Sequence, residues 1–524
     1  MRSIFDKVHD YYGRPYNMPL LDNLKITDYL EKWNKYSPNQ EFIVNISPDG
    51  DDETITYREC YQLVHKVCLE LQKTYQINLF DKVALIPKNS INSVIIILAL
   101  IKLDVTVVMI NASEPENKIK DQLETVKCEV IISDAGHVKD LVVLEAEKII
   151  SDSKNQPTIV DKSKKILDIY SPSILLFTTG TTSSSKAVAQ SNYNIVNNCY
   201  ALLKHHKLDN HSRLMCVLPI YYANGLEFTI FTTLMAGSTV ILCDEFDPFT
   251  FSKTINEQRV NISSVVPSIL KSLLDTRIKF KEQFQYFVSA AAPLTVQIAE
   301  QVYTKWDKKI IQGYGLTETT NFSLKIPSNI DSVNYEKYLI NTDIPSVGCE
   351  LFGNQVAIMG PDGEILRDGE VGEVVMRGHN VMLRYYNNED ATSSAFSNGW
   401  FHSGDLGRFT ADSIENRYLV LTGRLKNIIK TGGLLVSLED IDRLLLQHSS
   451  ITDAVSCPIA DDYLGEASIS IIVLSESLTE DEVKGYLSSF LAKSKLPKRI
   501  YIVDEIPKSK NGKVNRTHLA NLFR

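Results

Sequence analysis

The sequence predicts an α/β fold, with helix-covered, largely parallel sheets up to about residue 420 and a compact α+β unit after it. Short β-rich apolar runs alternate with helical stretches through most of the chain. Glycines and turn pairs crowd the stretch from about Gly348 to Thr410. The last hundred residues, roughly, mix helix and strand behind a charged, poorly apolar joint at Gly423-Arg424-Leu425-Lys426-Asn427.

Taken in order, Tyr57–Tyr75 and Ser90–Lys102 read as helices, flanking the strand-like Lys82–Ile86. Val94–Ile101, VIIILALI, is the most membrane-like window. It falls far short of the roughly 20 apolar residues a span needs, so it is expected to be a buried core helix. Val105–Ile110, Glu129–Ser133, Leu214–Leu218, Thr239–Leu242 and Ile262–Val266 are further strands, and Pro248–Glu257 another helix. The turns Gly360-Pro361-Asp362-Gly363, Asp368-Gly369 and Asn398-Gly399 mark an antiparallel, barrel-like section. The final unit is expected to contain helices at Leu438–His448 and Thr479–Ala492 and strands at Ser468–Leu474 and Ile500–Val503.

The 524 residues, 44% hydrophobic and 23% charged, match an ordinary protein with a sizeable core. A formal net charge of −9 without a long Lys/Arg block argues against nucleic-acid binding. Eight scattered cysteines without a CxxC pair fit reduced, mostly buried thiols. The N-terminal MRSIFDKVHDYYGRP lacks the apolar run of a signal peptide, so a cytoplasmic protein with no membrane partner is expected.

The most informative stretch is FTTGTTSSSKAV, residues 177–188, directly after the apolar run Ile174–Phe177. Thr178, Thr179, Gly180, Thr181, Thr182 and Lys186 present amides, hydroxyls and an ammonium to one region, a set that suits a polyphosphate. A Walker A loop is excluded, because Gly180 and Lys186 are wrongly spaced and Ala187 follows the lysine. A solvated serine-rich loop is the alternative from composition.

Further polar islands follow in a fixed order: Leu218-Pro219-Ile220-Tyr221-Tyr222-Ala223-Asn224-Gly225, Ser289-Ala290-Ala291-Ala292-Pro293-Leu294 and Gly313-Tyr314-Gly315-Leu316-Thr317-Glu318. Gly399-Trp400-Phe401-His402-Ser403-Gly404-Asp405-Leu406, Gly423-Arg424-Leu425-Lys426 and Pro507-Lys508-Ser509-Lys510-Asn511-Gly512-Lys513 complete the series. From Thr56-Tyr57-Arg58-Glu59 to Arg516 the chain resembles the adenylate-forming superfamily of acyl-CoA synthetases, peptide-synthetase adenylation domains and luciferases. Each motif alone has a plainer reading: a turn tyrosine at Tyr314, a helix cap at Thr317-Glu318, a hairpin at Gly404-Asp405, a solvated basic tail around Lys513. Their common order makes the resemblance specific.

The resemblance implies a large N-terminal domain, 1–423, of two helix-covered sheets and a small β-barrel. It also implies a hinge at 424–428 around Lys426, and a small mobile α+β domain, 429–524. ATP would be held by the 177–188 loop with Lys186, by Ala291, Ala292, Pro293, Gly313, Tyr314, Gly315 and Thr317, and by Asp405 and Arg424 at the ribose. Glu318 would hold Mg²⁺, and Lys513 would reach the substrate carboxylate and the α-phosphate. Tyr222, Asn224, Glu227, Val266, Ala290, Gly313, Asn321 and Phe322 would line the acyl pocket. Lys430, Gly432 and Gly433 would face the arm of CoA or phosphopantetheine.

The implied activity is conversion of a small carboxylic acid to acyl-AMP and then to a thioester on CoA, or on an acyl or peptidyl carrier protein. Amino-acid adenylation, with Glu227 pairing the ammonium, and a non-catalytic nucleotide-binding relative are the alternatives. The chain departs from the family pattern at Ser183, Ser185 and Ala187, where glycine, proline and glycine are usual. Asn192, Tyr222 and Arg384 are also atypical. Monomer and homodimer are both compatible with the sequence.

Overall fold

The computed structural model describes residues 3–47, 50–136, 141–158, 168–178, 185–410, 417–431, 434–461, 463–508 and 514–523. Seven strands form one sheet in the order Arg384–Tyr385, Ala187–Ser191, Pro172–Phe177, Thr106–Met109, Lys82–Ile86, Val130–Ser133 and Leu144–Glu145. The five from Pro172–Phe177 onward are mutually parallel, and Ala187–Ser191 returns antiparallel. A nine-stranded sheet runs Cys349–Glu350, Leu324–Lys325, Lys309–Tyr314, Tyr286–Ser289, Ile262–Val265, Arg213–Cys216, Thr239–Cys243, Glu41–Ile46 and Glu53–Thr56.

The expected core helix is Ile91–Lys102, and every residue from Val94 to Ile101 is fully buried. It packs with helix Tyr57–Lys73 between the inner faces of the two sheets, contacting one core that includes Val83, Leu85, Val107, Phe42 and Leu242. A helix apolar all round is stable only in such a layer, and each buried Ile or Leu contributes about 1.5–3 kcal/mol there. Among the described residues no helix is long and apolar enough to cross a membrane. The tetrapeptide Thr56–Glu59 is a capping box: Thr56 and Glu59 satisfy each other's backbone amides and fix the start of helix Tyr57–Lys73.

The turn-rich section is a four-stranded antiparallel sheet, Asn354–Met359, Gly372–Gly378, Phe401–Phe409 and Leu419–Arg424. Its ladder among the described residues runs openly from first strand to last. One 3₁₀ turn, Leu425–Asn427, leads from it into a five-stranded C-terminal sheet. There Ile451–Asp461 pairs with Gly465–Leu474, which also carries Arg499–Ile502 in parallel. Helices Leu438–Leu446 and Glu480–Leu487 bury Ile441, Leu445 and Val483 in its core. All eight cysteines are free thiols.

Three expectations change. The first is helix Thr479–Ala492, which is only Glu480–Leu487 and gives way to a turn before the 3₁₀ segment Lys493–Lys495. Helix Pro248–Glu257 starts only at Phe251, because Asp247 accepts the amides of Phe249 and Thr250 in a local turn. The long strand Ile451–Asp461 has no counterpart in the sequence reading. Pro458 argues against a central strand, but this one pairs on a single side, where proline is tolerated.

Candidate active site

The 177–188 loop joins two antiparallel strands rather than a strand and a helix. Phe177 pairs with Ala187, and the Thr178 amide donates to the Lys186 carbonyl at 3.0 Å, closing the neck. Thr179, Gly180, Thr181 and Thr182 lie outside the described residues, as do Ser183, Gly432, Gly433 and Lys513. Helix Asn192–His206 begins directly after the returning strand, capped by Ser191.

Lys186 Nζ stands 4.7 Å from the Tyr385 ring centroid, and the Tyr385 hydroxyl donates to Glu318 Oε1 at 2.8 Å. Burial first, and then the Glu318 carboxylate, push the Tyr385 phenol far up, so it remains a donor. Sequence reasoning missed Tyr385; the signal was its place in the atypical run Val381-Met382-Leu383-Arg384-Tyr385-Tyr386. The strand Arg384–Tyr385 pairs with Ala187–Ser191, so backbone pairing alone brings Tyr385 alongside Lys186.

Thr317 opens a 3₁₀ turn, Thr317–Thr319, after the strand Lys309–Tyr314. Four bonds hold this turn. Gln190 Nε2 donates to the carbonyls of Thr317 and Thr320, at 2.9 and 3.3 Å. Asn380 Nδ2 donates to the Thr319 carbonyl, and the Met382 amide to that of Glu318. Thr320 sits at φ 68°, unusual for a β-branched residue, and its hydroxyl is tied to the Asn380 carbonyl at 2.6 Å. Gly315 is required by packing, since a Cβ there would lie 1.8 Å from the Asn321 carbonyl oxygen.

Tyr314, Asp405 and Arg424 form a second group. The Tyr314 hydroxyl donates to Asp405 Oδ2 at 2.7 Å, and Arg424 Nε lies 2.8 Å from Asp405 Oδ1. Asp405 and Arg424 are cross-strand partners in the antiparallel sheet, which excludes the hairpin-tip reading of Gly404-Asp405. Gly404 takes φ 71°, its amide donating to Glu373 Oε1 at 2.9 Å, while Glu373 Oε2 accepts from His402 Nδ1 at 2.7 Å.

Bonding to Glu373 raises the His402 pKa above its ordinary 6.5. A raised folded-state pKa contributes stability that is full below the unfolded value and disappears as pH rises through the folded one. Wild type is therefore expected to exceed His402→Asn in urea-unfolding free energy at about pH 5.5, and the gap to narrow by about pH 8.5. A gap that is constant with pH would contradict this.

Of the residues expected in the acyl pocket, Val266, Ala290 and Gly313 lie at or just beyond the ends of three adjacent strands of the nine-stranded sheet. Asn224 opens a π-helical segment, Asn224–Phe231, that no sequence pattern announced, and Asn224 Oδ1 accepts from Ser264 Oγ at 2.6 Å. Val266 and Ala290 are buried just beyond the strands Ile262–Val265 and Tyr286–Ser289. Ala291 follows at φ 70°, exposed, with Ala292 and Pro293 continuing the surface turn. Asn321 Nδ2 reaches the Ala223 carbonyl at 3.4 Å, and Phe322 meets Phe228 edge-on. Tyr222 faces a small cavity of about 20 Å³ shared with Asn111, Gln122 and Thr178. Glu227 is fully buried, and burial drives its carboxyl pKa well above the usual range.

Lys426 lies in the 3₁₀ turn between the last two sheets. Lys430 is exposed on strand Ile428–Thr431, its amide bonded to Glu466 at 2.7 Å. Arg516, part of the basic cluster around Lys513, binds Asp442 at 2.7 Å and starts the final helix, which argues against the plainer reading of that cluster as a solvated tail.

The sequence matches the AMP-binding enzyme family over residues 30–386 and the AMP-binding enzyme C-terminal domain over 440–513. It is 26% identical over 493 residues to an oxalate–CoA ligase of Arabidopsis thaliana, covering 90% of this chain and 93% of that one. A probable CoA ligase of Humulus lupulus is 30% identical over 383 residues, with 71% and 70% covered. Among solved structures, o-succinylbenzoate CoA synthetase of Bacillus subtilis with its acyl-adenylate intermediate superposes with a TM-score of 0.83. That match has 22% identity over 94% of this chain and 97% of the other. ATP-bound MatB of Rhodopseudomonas palustris gives 0.85 at 22% identity, covering 96% and 98%. With the family match spanning well over half its length, the chain belongs to the AMP-binding enzyme family.

Proposed function

We propose that this protein is an ATP-dependent, AMP-forming acid–thiol ligase acting on a small carboxylic acid, with CoA as acceptor. The observation that carries this reading is the pair of groups Tyr314–Asp405–Arg424 and Lys186–Tyr385–Glu318, set around one strand end and its following turn. The first suits a nucleoside: an aromatic face for the base and a carboxylate with two acceptor oxygens for the ribose hydroxyls. The second suits its phosphates.

Among the described residues no three His, Cys, Asp or Glu side chains cluster to hold a metal. One carboxylate, Glu318, joined by phosphate oxygens fits Mg²⁺, which keeps few protein ligands at nucleotide sites. Bound there, the ion would neutralise phosphate charge. The substrate carboxylate attacks the α-phosphorus of ATP and the bond to pyrophosphate breaks, leaving acyl-AMP. A thiolate then attacks the acyl carbonyl and AMP departs. Lys186 is assigned to the phosphates, and Lys513, on sequence grounds alone, to the two anions that must approach each other.

Domains at 1–423 and 429–524, pivoting at Lys426 in its 3₁₀ turn, would let Lys430, Gly432 and Gly433 replace Lys513 at the site for thiol transfer. CoA is favoured over a carrier protein because the relatives similar along nearly their whole length are named CoA ligases. A non-amino acid is favoured because Ala223 and Asn224, which follow the Tyr222 aromatic, carry no carboxylate for an α-ammonium, and Glu227 lies toward Gln190 and Cys199.

The test is ATP–pyrophosphate exchange across a panel of carboxylic acids, followed by assay of thioester formation with CoA and with a phosphopantetheinylated carrier. Acid-dependent exchange and CoA thioester are expected. Nucleotide binding without exchange by any acid would make this a non-catalytic relative.

A further inference from the structure

Lys325 has no part in the chemistry above, yet it lies directly against Gly313, one of the proposed acyl-pocket residues. It lies on the short strand Leu324–Lys325, directly opposite Gly313 in the antiparallel register. It is fully buried, and its Nζ has no hydrogen-bond partner among the described residues. The amine stands 3.5 Å from the Phe322 ring centroid and 5.0 Å from that of Phe228. Burial holds its pKa well below the ordinary lysine range. His206 lies nearby, its Nδ1 2.9 Å from the Tyr286 hydroxyl and its Nε2 also unpartnered among the described residues.

Strand register places these groups on the pocket's own face. Ile311 pairs with Val288 and Val288 with Ser264, whose hydroxyl binds the pocket residue Asn224. Alternation puts Gly313 on the face of Ile311, and Tyr286 on that of Val288. Lys325, paired with Gly313, leaves on the same side: a Cβ on Gly313 would meet Lys325 Cγ at 2.9 Å and Phe322 Cδ1 at 2.6 Å. One face thus carries Ala290 and Gly313 at the strand ends together with Lys325 and Tyr286, the hydrogen-bond partner of His206.

A lone amine at this depth destabilises the fold unless something makes use of it. Glu227, on the same π-helical segment as Phe228, is not its counterion; it lies toward Gln190 and Cys199 instead. We propose that Lys325, with His206 beside it, receives a second anionic group at the far end of the acid substrate, so that the enzyme activates diacids. One carboxylate goes forward to the α-phosphate while the distal one is held by the Lys325 ammonium, the amine taking a proton from solvent as the complex forms. The Phe322 ring, lying across Nζ, turns aside to admit the tail. This inference rests on the acid-activation reading.

The test measures exchange with aliphatic and aryl diacids, each beside the monoacid lacking the distal carboxylate. The expected result is a diacid with kcat/KM about 100-fold or more above its monoacid twin. Lys325→Met and Lys325→Gln should each remove about that factor for the diacid and leave the monoacid unchanged or improved. The Met variant should also melt higher than wild type, which separates lost recognition from lost folding. Monoacids preferred by the wild type, or variants lowering both acids alike, would overturn the proposal. If neither kind of acid supports exchange while ATP still binds, the acid-activation reading itself fails, and this inference with it.

Discussion

Asp405→Ala lowers kcat/KM for ATP in pyrophosphate exchange by about 100-fold or more, with most of the loss in the ATP KM. The carboxylate is buried between the Tyr314 hydroxyl and Arg424, and two charge-assisted bonds to ribose hydroxyls are each worth about 1.5–3 kcal/mol. Removing it also leaves the Tyr314 hydroxyl without its acceptor. Asp405→Asn separates the effects, since the amide oxygen keeps the Tyr314 bond while the charge facing Arg424 is lost. Its loss should be about tenfold, with thermal stability close to wild type. An unchanged ATP KM in both variants would remove the nucleoside assignment.

Glu318→Gln lowers kcat for adenylate formation by about 100- to 1,000-fold and raises the Mg²⁺ concentration needed for half-maximal rate. The substitution preserves shape and the carbonyl oxygen that accepts from Tyr385, so structural damage should be small. Tyr385→Phe tests the orientation of that carboxylate. It deletes one hydroxyl, keeps the ring beneath Lys186, and should cost about tenfold with the same Mg²⁺ signature. Titration of rate against Mg²⁺ at saturating ATP makes the distinction. An unaltered Mg²⁺ dependence in Glu318→Gln would place the metal elsewhere.

Much of the fold was legible along the chain. Ile91–Lys102 announced itself as a buried helix because no face of it is polar, and the parallel strands around it are short, β-branched and bounded by turns. Asp247 and Pro458 show where local reading failed. Asp247 diverts two amides within three residues, a local turn that outcompetes the helical pattern. A strand paired on one side only depends instead on partners that the sequence does not reveal. The π-helical segment Asn224–Phe231 belongs to the same class, since its register is set by packing and Asn224 finds Ser264 across the sheet.

The site divided similarly. Motif order by itself singled out the residues 177–188, Tyr314, Glu318, Asp405 and Arg424, because nucleotide chemistry demands those residue types. The tertiary structure alone decided how they connect: Tyr314 to Asp405 across 91 positions, Lys186 and Glu318 through Tyr385, and the turn at Thr317 through Gln190. It alone gave Lys325 its meaning, since a lysine in Leu324-Lys325-Ile326 reads as a surface charge until strand pairing buries it opposite Gly313. The physical reason is the same in each case. Residue type fixes what a group can do, whereas solvation and partners, which set its charge and orientation, exist only after distant strands have paired.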